Sequence, residues 1–125
     1  MSEDRLKNIF LLRKDFMSKL EHSKPGSYPE WPLDISSKKS QQVLRDTALK
    51  GIEEMFEALQ HLKNWKPHRS TDVPEFDREE FLEEVVDAFN YFLSVLVLVG
   101  MDEEDFYNAY VLKDKIIRDR LTSGY

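Results

Sequence analysis

The stretch Glu84-Val-Val-Asp-Ala-Phe-Asn-Tyr-Phe-Leu-Ser-Val-Leu-Val-Leu-Val99 decides the fold of this chain. Its second half is apolar almost all round, which is typical of a helix that is buried on several sides. Asp77 and Glu80 have the form of a capping box in front of it, and Gly100 follows its end. The pattern predicts a long helix over about residues 77–99, in a central position or at a subunit interface. Its β-branched residues leave a strand as the alternative.

Three further helices are predicted around this one. Apolar residues at near-helical spacing predict a first helix over residues 4–22. The segment Lys24–Pro32 cannot continue it, because three prolines and a glycine break the hydrogen-bond ladder. A second helix is predicted from Ser37, as N-cap, to about residue 64, followed by a polar loop over residues 66–76. A fourth runs over about residues 103–121, with Asp102 as its cap.

These elements predict an all-α fold, a helical bundle of about four helices in a single domain over residues 1–125. Within it, residues 1–36 form an N-terminal helix and a proline-rich loop, and residues 37–125 carry the motifs discussed below.

The composition excludes several classes of protein. The net charge of −6 argues against a nucleic-acid partner, because such proteins carry a basic surface. The chain has no cysteine, which excludes disulfides, thiolate zinc sites and cysteine nucleophiles. The most apolar run, over residues 88–99, is shorter than the about 20 residues that span a bilayer. With no visible signal peptide, we expect a cytoplasmic protein without a membrane partner.

Two acidic pairs, Glu54-Met-Phe-Glu57 and Glu84-Val-Val-Asp87, lie on the second and third predicted helices. Residues three apart share a helix face, so each pair presents two carboxylates in one direction. If the two helices pack face to face, the four carboxylates converge into a site for a hard divalent cation such as Mg²⁺. The spacing alone is weak evidence, because the chain contains 24 acidic residues.

Helical geometry separates the two pairs. At about 100° per residue, Glu54, Glu57 and His61 fall opposite the large apolar residues of their helix, so a solvated acidic face explains them equally well. Glu84 and Asp87 share one face of the third predicted helix, and apolar residues flank that face towards the C-terminal end of the helix. We therefore expect Asp87 to approach apolar surroundings, where an ionised carboxylate needs a metal ion or a basic partner.

One face of the fourth helix combines two cations with aromatic and apolar side chains. Its members are Phe106, Tyr110, Lys113, Ile117 and Arg120. Cations on an inward face need an anion, either the nearby carboxylates or a bound phosphate. Acidic clusters for metal and basic groups for phosphate are the minimum equipment for metal-assisted phosphate chemistry.

Other phosphate and metal enzymes lack support in the sequence. There is no glycine-rich phosphate loop, which excludes a P-loop enzyme. None of His22, His61 and His68 belongs to a metal-ligand pair at helical spacing, and zinc-hydrolase motifs are absent.

The order of these residues resembles the all-α nucleoside triphosphate pyrophosphohydrolases, which comprise the MazG-like enzymes, the dimeric dUTPases and the T-even phage dCTP/dUTP pyrophosphatase. The likeness is closest to the dimeric dUTPase and phage branch and covers about residues 50–125. Besides the two acidic pairs it is carried by Trp65-Lys66, Gly100-Met-Asp-Glu-Glu-Asp105, Tyr107-Asn-Ala-Tyr-Val-Leu-Lys113 and Arg120-x-x-x-Gly124-Tyr125.

The resemblance implies an oligomer, a homodimer or a homotetramer, that hydrolyses a (deoxy)nucleoside triphosphate to the monophosphate and pyrophosphate. It also implies Mg²⁺, with Mn²⁺ as an alternative ion, and phosphate contacts from Lys113 and Arg120. Either Glu54 or Glu57 would orient or deprotonate the attacking water. The implied metal ligands are Glu54, Glu57, Glu84 and Asp87.

The base that such an enzyme accepts is left open by the sequence. Branch members carry Asn four residues after the motif lysine, followed later by Arg-Gln, where this chain has Ile117 and Arg120-Leu121. We expect a dUTP or dCTP substrate in nucleotide-pool control, in a host cytoplasm if a phage encodes the chain, and keep a purine or modified dNTP as the alternative. The candidate substrate contacts are His61, Trp65, Lys66, Asn90 and Tyr110, although Trp65 also fits a packing anchor. The alternative from another class is a non-catalytic helical-bundle interaction protein with solvated or salt-bridged acidic stripes.

Overall fold

A computed structural model of the chain describes residues 3–72 and 75–124. Within these ranges the chain forms four helices and no strand, so the all-α prediction is confirmed and the strand alternative is wrong. The helices are α1 (Arg5–Ser23), α2 (Lys38–Leu59), α3 (Arg78–Leu98) and α4 (Glu103–Ser123). Tyr125, part of the C-terminal motif, and residues 73 and 74 of the predicted loop lie outside the described residues.

The contacts of the chain group into two units. The first comprises Met1–Leu33 and Leu96–Tyr125, and the second comprises Asp34–Val95. Helix α3 begins in the second unit and its last residues belong to the first. The expectation of a single domain stays a prediction.

The predicted helix starts are confirmed by their caps. The Ser37 hydroxyl accepts a hydrogen bond from the Ser40 N–H at 3.0 Å at the start of α2. At the start of α4, Asp102 accepts from the Asp105 N–H at 2.9 Å, and the Asp105 carboxylate accepts from the Asp102 N–H at 3.1 Å. This reciprocal pair is a capping box, and its hydrogen bonds lower the pKa of Asp102.

Helix α2 ends at Leu59, five residues before the predicted end. The next N–H groups turn tightly and bond three residues back: Gln60 to Glu57 at 3.1 Å, His61 to Ala58 at 3.1 Å and Leu62 to Leu59 at 3.0 Å. Such i→i−3 bonds are common in the last turn of a helix. His61 therefore lies in the turn that leaves α2 and not on the helix itself.

Gly100 ends α3 in the left-handed region, with φ of +81°. Its N–H bonds to the Val97 carbonyl at 3.0 Å, and the Met101 N–H bonds to the Leu96 carbonyl at 2.9 Å, which together form a Schellman motif. A Cβ on Gly100 would lie 3.0 Å from the Cβ of Pro32. Both the backbone angle and the space therefore require glycine here.

In the first unit, α1 packs against α4. Phe10 and Met17 are fully buried, and the Phe10 ring lies 6.4 Å from the Phe106 ring. The proline-rich loop is held by Glu21, whose carboxylate accepts the N–H groups of Gly26 and Tyr28 at 2.8 Å each. These two hydrogen bonds lower the pKa of Glu21.

In the second unit, α2 and α3 pack through small residues. Thr47, Gly51 and Ala58 are the buried residues of α2. A Cβ on Gly51 would lie 2.9 Å from Cε1 of Phe92 and 3.2 Å from the carbonyl oxygen of Ala88. The absence of a side chain at Gly51 therefore allows the two helices to approach closely.

This packing corrects the predicted orientation of α2. Of the large apolar residues that the periodicity assigns to the core, Ile52, Phe56 and Leu59 on α2 and Leu62 beyond it are more than a third exposed, whereas Leu44 and Met55 are half-buried. Small residues face α3 instead, because the two helices lie too close together for a large side chain to fit between them.

Helix α3 is buried along part of its length, as its apolar character predicts. Ala88, Ser94, Val97 and Leu98 are buried, whereas Phe89 is 55% exposed. Among the described residues no single helix is long and apolar enough to cross a membrane, and α3 and α4 meet that criterion only when counted together.

Candidate metal centre

The packing of α2 on α3 places Glu54 within electrostatic range of the second acidic pair. Glu54 lies one turn beyond Gly51, whose missing side chain leaves room for Phe92 of α3. Burial, the charge of Glu57 and a hydrogen bond with it, and the charges of Asp87 and Glu84 all raise the pKa of Glu54. We call these four carboxylates, all on described residues, the acidic quartet; no three of them have oxygens that lie within 4.8 Å of one another.

The quartet has two inner and two outer members. Glu54 and Glu84 are half-buried, whereas Glu57 and Asp87 are exposed. Glu54 lies beside the small residues that pack on α3, so a fully solvated face, one of the two interpretations left open by the sequence, describes Glu57 but not Glu54.

Asp87 lies beside apolar side chains but stays exposed to water, so its carboxylate does not need a metal ion or a basic partner in the way that the sequence predicts. It is exposed and lines an open groove of about 560 Å³ with Glu79, Leu82, Glu83 and Val86. The next residue, Ala88, is fully buried, so α3 turns its packed side inward one position later. The carboxylate that is drawn inward is that of Glu84.

Glu84 carries an unsatisfied buried oxygen. Its Oε2 is inaccessible to solvent and accepts no hydrogen bond. The Nε2 atom of His61 lies 3.2 Å away, within ion-pair distance, but the contact lacks hydrogen-bond geometry. A buried carboxylate oxygen without a hydrogen bond costs free energy unless a cation lies against it.

His61 and Glu84 belong to a second group of potential ligands. One ligand atom from each of His61, Glu80 and Glu84 lies within 4.8 Å of the others. Phe81 packs edge-on against the imidazole, with ring centroids 6.3 Å apart at 86°. A search for metal ligands at helical spacing misses this group, because the histidine comes from the turn after α2 and the carboxylates come from α3.

A cavity of about 390 Å³ opens beside His61. Its apolar walls include Leu62 and Phe76, and its polar groups include Asn64 and Lys63. A cavity with apolar walls and few polar groups suits a small organic ligand. The sequence gives no signal for Asn64 or Phe76, since both lie on loop segments without a motif.

The other predicted substrate residues of the second unit are Trp65, Lys66 and Asn90. Trp65 is 68% exposed, and the Nζ atom of Lys66 lies 5.8 Å from the centre of its ring. A packing anchor would be buried, so this alternative reading of Trp65 is wrong. Asn90 is half-buried on α3, three residues beyond Asp87 and on the same side of the helix.

The predicted basic face of α4 belongs to the first unit. It is not inward: no described residue of α4 is buried, and Tyr110, Lys113, Ile117 and Arg120 are all exposed. Cations on such a face can be satisfied by water and do not require an anion. Their participation in one site with the acidic quartet stays a prediction, because the two sets lie in different units.

Comparisons with models of protein families, with curated proteins and with solved structures found no match to this chain. The resemblance to the all-α pyrophosphohydrolases therefore stays a prediction that rests on the residues quoted above.

Proposed function

We propose that the chain is an Mg²⁺-dependent nucleoside triphosphate pyrophosphohydrolase, which cleaves a dUTP- or dCTP-type substrate to the monophosphate and pyrophosphate. The observation that supports the proposal is the electrostatic coupling of Glu54 on α2 to Glu57, Glu84 and Asp87, the other three acidic residues of the predicted metal site. The order of motifs along the sequence adds to it. The residues themselves place no constraint on the base beyond the cavity beside His61.

The donor set of the quartet suits Mg²⁺. Magnesium prefers oxygen ligands, and all four side chains supply carboxylate oxygens. The raised pKa of Glu54 reflects its burial and then the charges of the three other carboxylates, and a bound cation offsets the free-energy cost of ionising it there. The ligands would be Glu54, Glu57, Glu84 and Asp87, and Mg²⁺, with Mn²⁺ as an alternative, would neutralise phosphate charge and polarise the attacked phosphorus.

Either Glu54 or Glu57 would orient or deprotonate the attacking water. The attack would fall on the α-phosphorus, and the bond to the bridging oxygen of pyrophosphate would break.

The remaining roles follow from chemistry and position. The cavity beside His61 would accept the base or the sugar, with Asn64 able to donate and accept hydrogen bonds. Asn90, Trp65 and Lys66 are further candidates in the same unit. On α4, Lys113 and Arg120 would contact phosphates, with Tyr110 beside them in sequence.

We further propose that the protein acts as a homodimer or homotetramer in the cytoplasm. Exposed apolar side chains recur at i, i+4 and i+7 on α3, at Leu82, Val86 and Phe89, and α4 exposes several more. A monomer rarely leaves apolar residues exposed in continuous stripes of this kind.

The test is to incubate the purified protein with Mg²⁺ and each canonical dNTP, dUTP and a set of modified dNTPs in turn, and to measure pyrophosphate and monophosphate. We expect stoichiometric release of both products from at least one nucleotide, with none when EDTA removes the metal. Absence of turnover for every nucleotide would refute the enzymatic proposal and favour a non-catalytic interaction protein.

Charge-neutral variants then identify the site. Glu84→Gln and Glu54→Gln should lower kcat by a hundredfold or more, because each removes a ligand carboxylate while keeping the shape of the side chain. Glu53→Gln is the matched control, since Glu53 is an exposed carboxylate on the same helix outside the quartet. Equal losses in all three variants would show that net charge, and not the quartet, governs activity.

A further inference from the structure

The structure points to a second metal site in the turn after α2. We infer that His61, Glu80 and Glu84, which we call the histidine triad, bind a zinc ion. Their ligand atoms already lie within 4.8 Å of one another. This inference concerns the protein without nucleotide and does not depend on the proposed hydrolase activity.

The geometry around Glu84 favours a cation in this position. Its buried Oε2 lies 3.2 Å from an imidazole nitrogen and yet accepts no hydrogen bond. Two ligand atoms that share one metal ion lie at about this separation, since zinc–nitrogen and zinc–oxygen bonds are each about 2.0–2.2 Å long. A zinc ion between them would satisfy both atoms at once.

The donor set distinguishes this site from the acidic quartet. The quartet offers oxygen alone, which suits Mg²⁺, whereas the histidine triad adds a neutral nitrogen ligand. Imidazole together with carboxylates is a donor set that zinc accepts and that Mg²⁺ rarely uses. Glu84 belongs to both sets, so only His61 and Glu80 are specific to the triad.

The surroundings of the triad fix one ligand and leave space for another. Phe81, which packs edge-on against His61 and lies 5.3 Å from the Phe76 ring, holds the imidazole in place. His61 also lines the cavity of about 390 Å³, so water or a ligand can reach the fourth position of a tetrahedral ion. A zinc ion here would also tie the end of α2 to the first two turns of α3 and close the loop between them.

The experiment is a titration of the metal-free full-length chain with Co²⁺, a spectroscopic substitute for zinc, followed by displacement with Zn²⁺. We expect one Co²⁺ per chain with the visible absorption of nitrogen and oxygen ligation, and its loss when Zn²⁺ is added. Excess Mg²⁺ should not displace the Co²⁺, because Mg²⁺ rarely uses an imidazole ligand, although it competes for the shared carboxylate of Glu84. No binding, or complete displacement by Mg²⁺, would refute the inference.

Variants locate the ion. Replacing even an indirect partner of a metal ligand costs about 10–100-fold in affinity, so His61→Ala and Glu80→Gln should each weaken Zn²⁺ binding at least about tenfold. Glu80 is exposed, so its substitution tests the site even if His61→Ala fails to fold. His68→Ala, in the exposed loop, is the matched control and should bind as the wild type does.

A different pattern would overturn the assignment. If Glu57→Gln weakened Zn²⁺ binding while His61→Ala and Glu80→Gln did not, the ion would lie in the acidic quartet. Loss of binding in His68→Ala would place it in the loop. Because no nucleotide is present, neither outcome depends on whether the chain hydrolyses one.

Discussion

Gly51→Ala should destabilise the second unit, even though alanine is the better helix former. A Cβ at this position would lie 2.9 and 3.0 Å from two ring atoms of Phe92 and 3.2 Å from the carbonyl oxygen of Ala88. The favourable separation between carbon atoms is about 3.5–4.0 Å, so one methyl group crowds three atoms. The half-buried Phe92 ring can move, but the Ala88 carbonyl is part of α3 and cannot move without the helix.

The two opposing effects can be compared. Overpacking by one methyl group costs about 1–3 kcal/mol, and replacing glycine by alanine in a helix returns about 1 kcal/mol. We therefore expect a net loss of up to about 2 kcal/mol, which for a chain of this size lowers Tm by up to roughly 8 °C. The assay is urea unfolding followed by circular dichroism, with a lower midpoint at an unchanged m value.

A double-mutant cycle with Phe92→Leu tests the physical reason. This substitution removes the two ring atoms, so Gly51→Ala should cost less in its background, though not nothing, because the Ala88 carbonyl remains. A Gly51→Ala variant as stable as the wild type would refute the close approach of α2 and α3. An identical cost in both backgrounds would show that the crowding does not involve Phe92.

The remaining predictions concern one titrating group and two helix ends. In the metal-free protein the pKa of Glu54 lies above its usual value of 4.5, so the folded state loses stability as the pH rises above 4.5 and the carboxyl ionises. Glu54→Gln should therefore have a higher Tm than the wild type at pH 7 in EDTA. The two proteins should not differ in this way well below pH 4.5. Gly100→Ala should lower the free energy of unfolding in urea by roughly 2 kcal/mol, because Gly100 has a positive φ and its Cβ would contact Pro32. Gly26→Ala, also at positive φ but in open space, should lower it by only about 1 kcal/mol. Equal losses in the two variants would show that the contact with Pro32 costs nothing. Ser37→Ala should lower the free energy of unfolding by about 1 kcal/mol, because the first turn of α2 loses its cap, and an unchanged value would show that the hydroxyl is dispensable.

Local signals in the sequence predict much of the fold. Ser37 and Asp102 each cap a helix, and Gly100 ends one, because capping depends on residues within one turn and on backbone angles that few residue types adopt. The end of α2 is harder to predict. No proline or glycine stands at residue 60, and the apolar pattern continues through Leu62 after the helix has stopped.

The packed face of α2 could not be predicted from hydrophobicity. The helix carries a stripe of large apolar residues and a stripe of small ones, and periodicity assigns the core to the larger. The structure packs Gly51 and Ala58 because the distance between α2 and α3 leaves no space for bulk. For the same reason Glu54, for which the sequence leaves a solvated face and a metal site as equal alternatives, lies beside the packed face.

In the candidate site too, features within one helix can be predicted from the sequence, whereas contacts between elements cannot. The spacing within each acidic pair predicts that its two members share a face, and the charges of Glu84 and Asp87 contribute to the raised pKa of Glu54 across the two helices. The contact of His61 with Glu84 depends on the turn after α2 and on the position of α3, and both are long-range properties. No pattern within one helix encodes such a contact.

Calorimetry can show whether the acidic quartet binds Mg²⁺ together with a nucleoside triphosphate. The ligands are dUTP and dCTP analogues in which nitrogen replaces the oxygen between the α- and β-phosphates, titrated with and without Mg²⁺. We expect Mg²⁺-dependent binding of at least one analogue to the wild type and to Glu53→Gln, weakened at least about tenfold in Glu54→Gln and Glu84→Gln. Binding that is absent with Mg²⁺, or equally strong in all four proteins, would refute the proposed metal site.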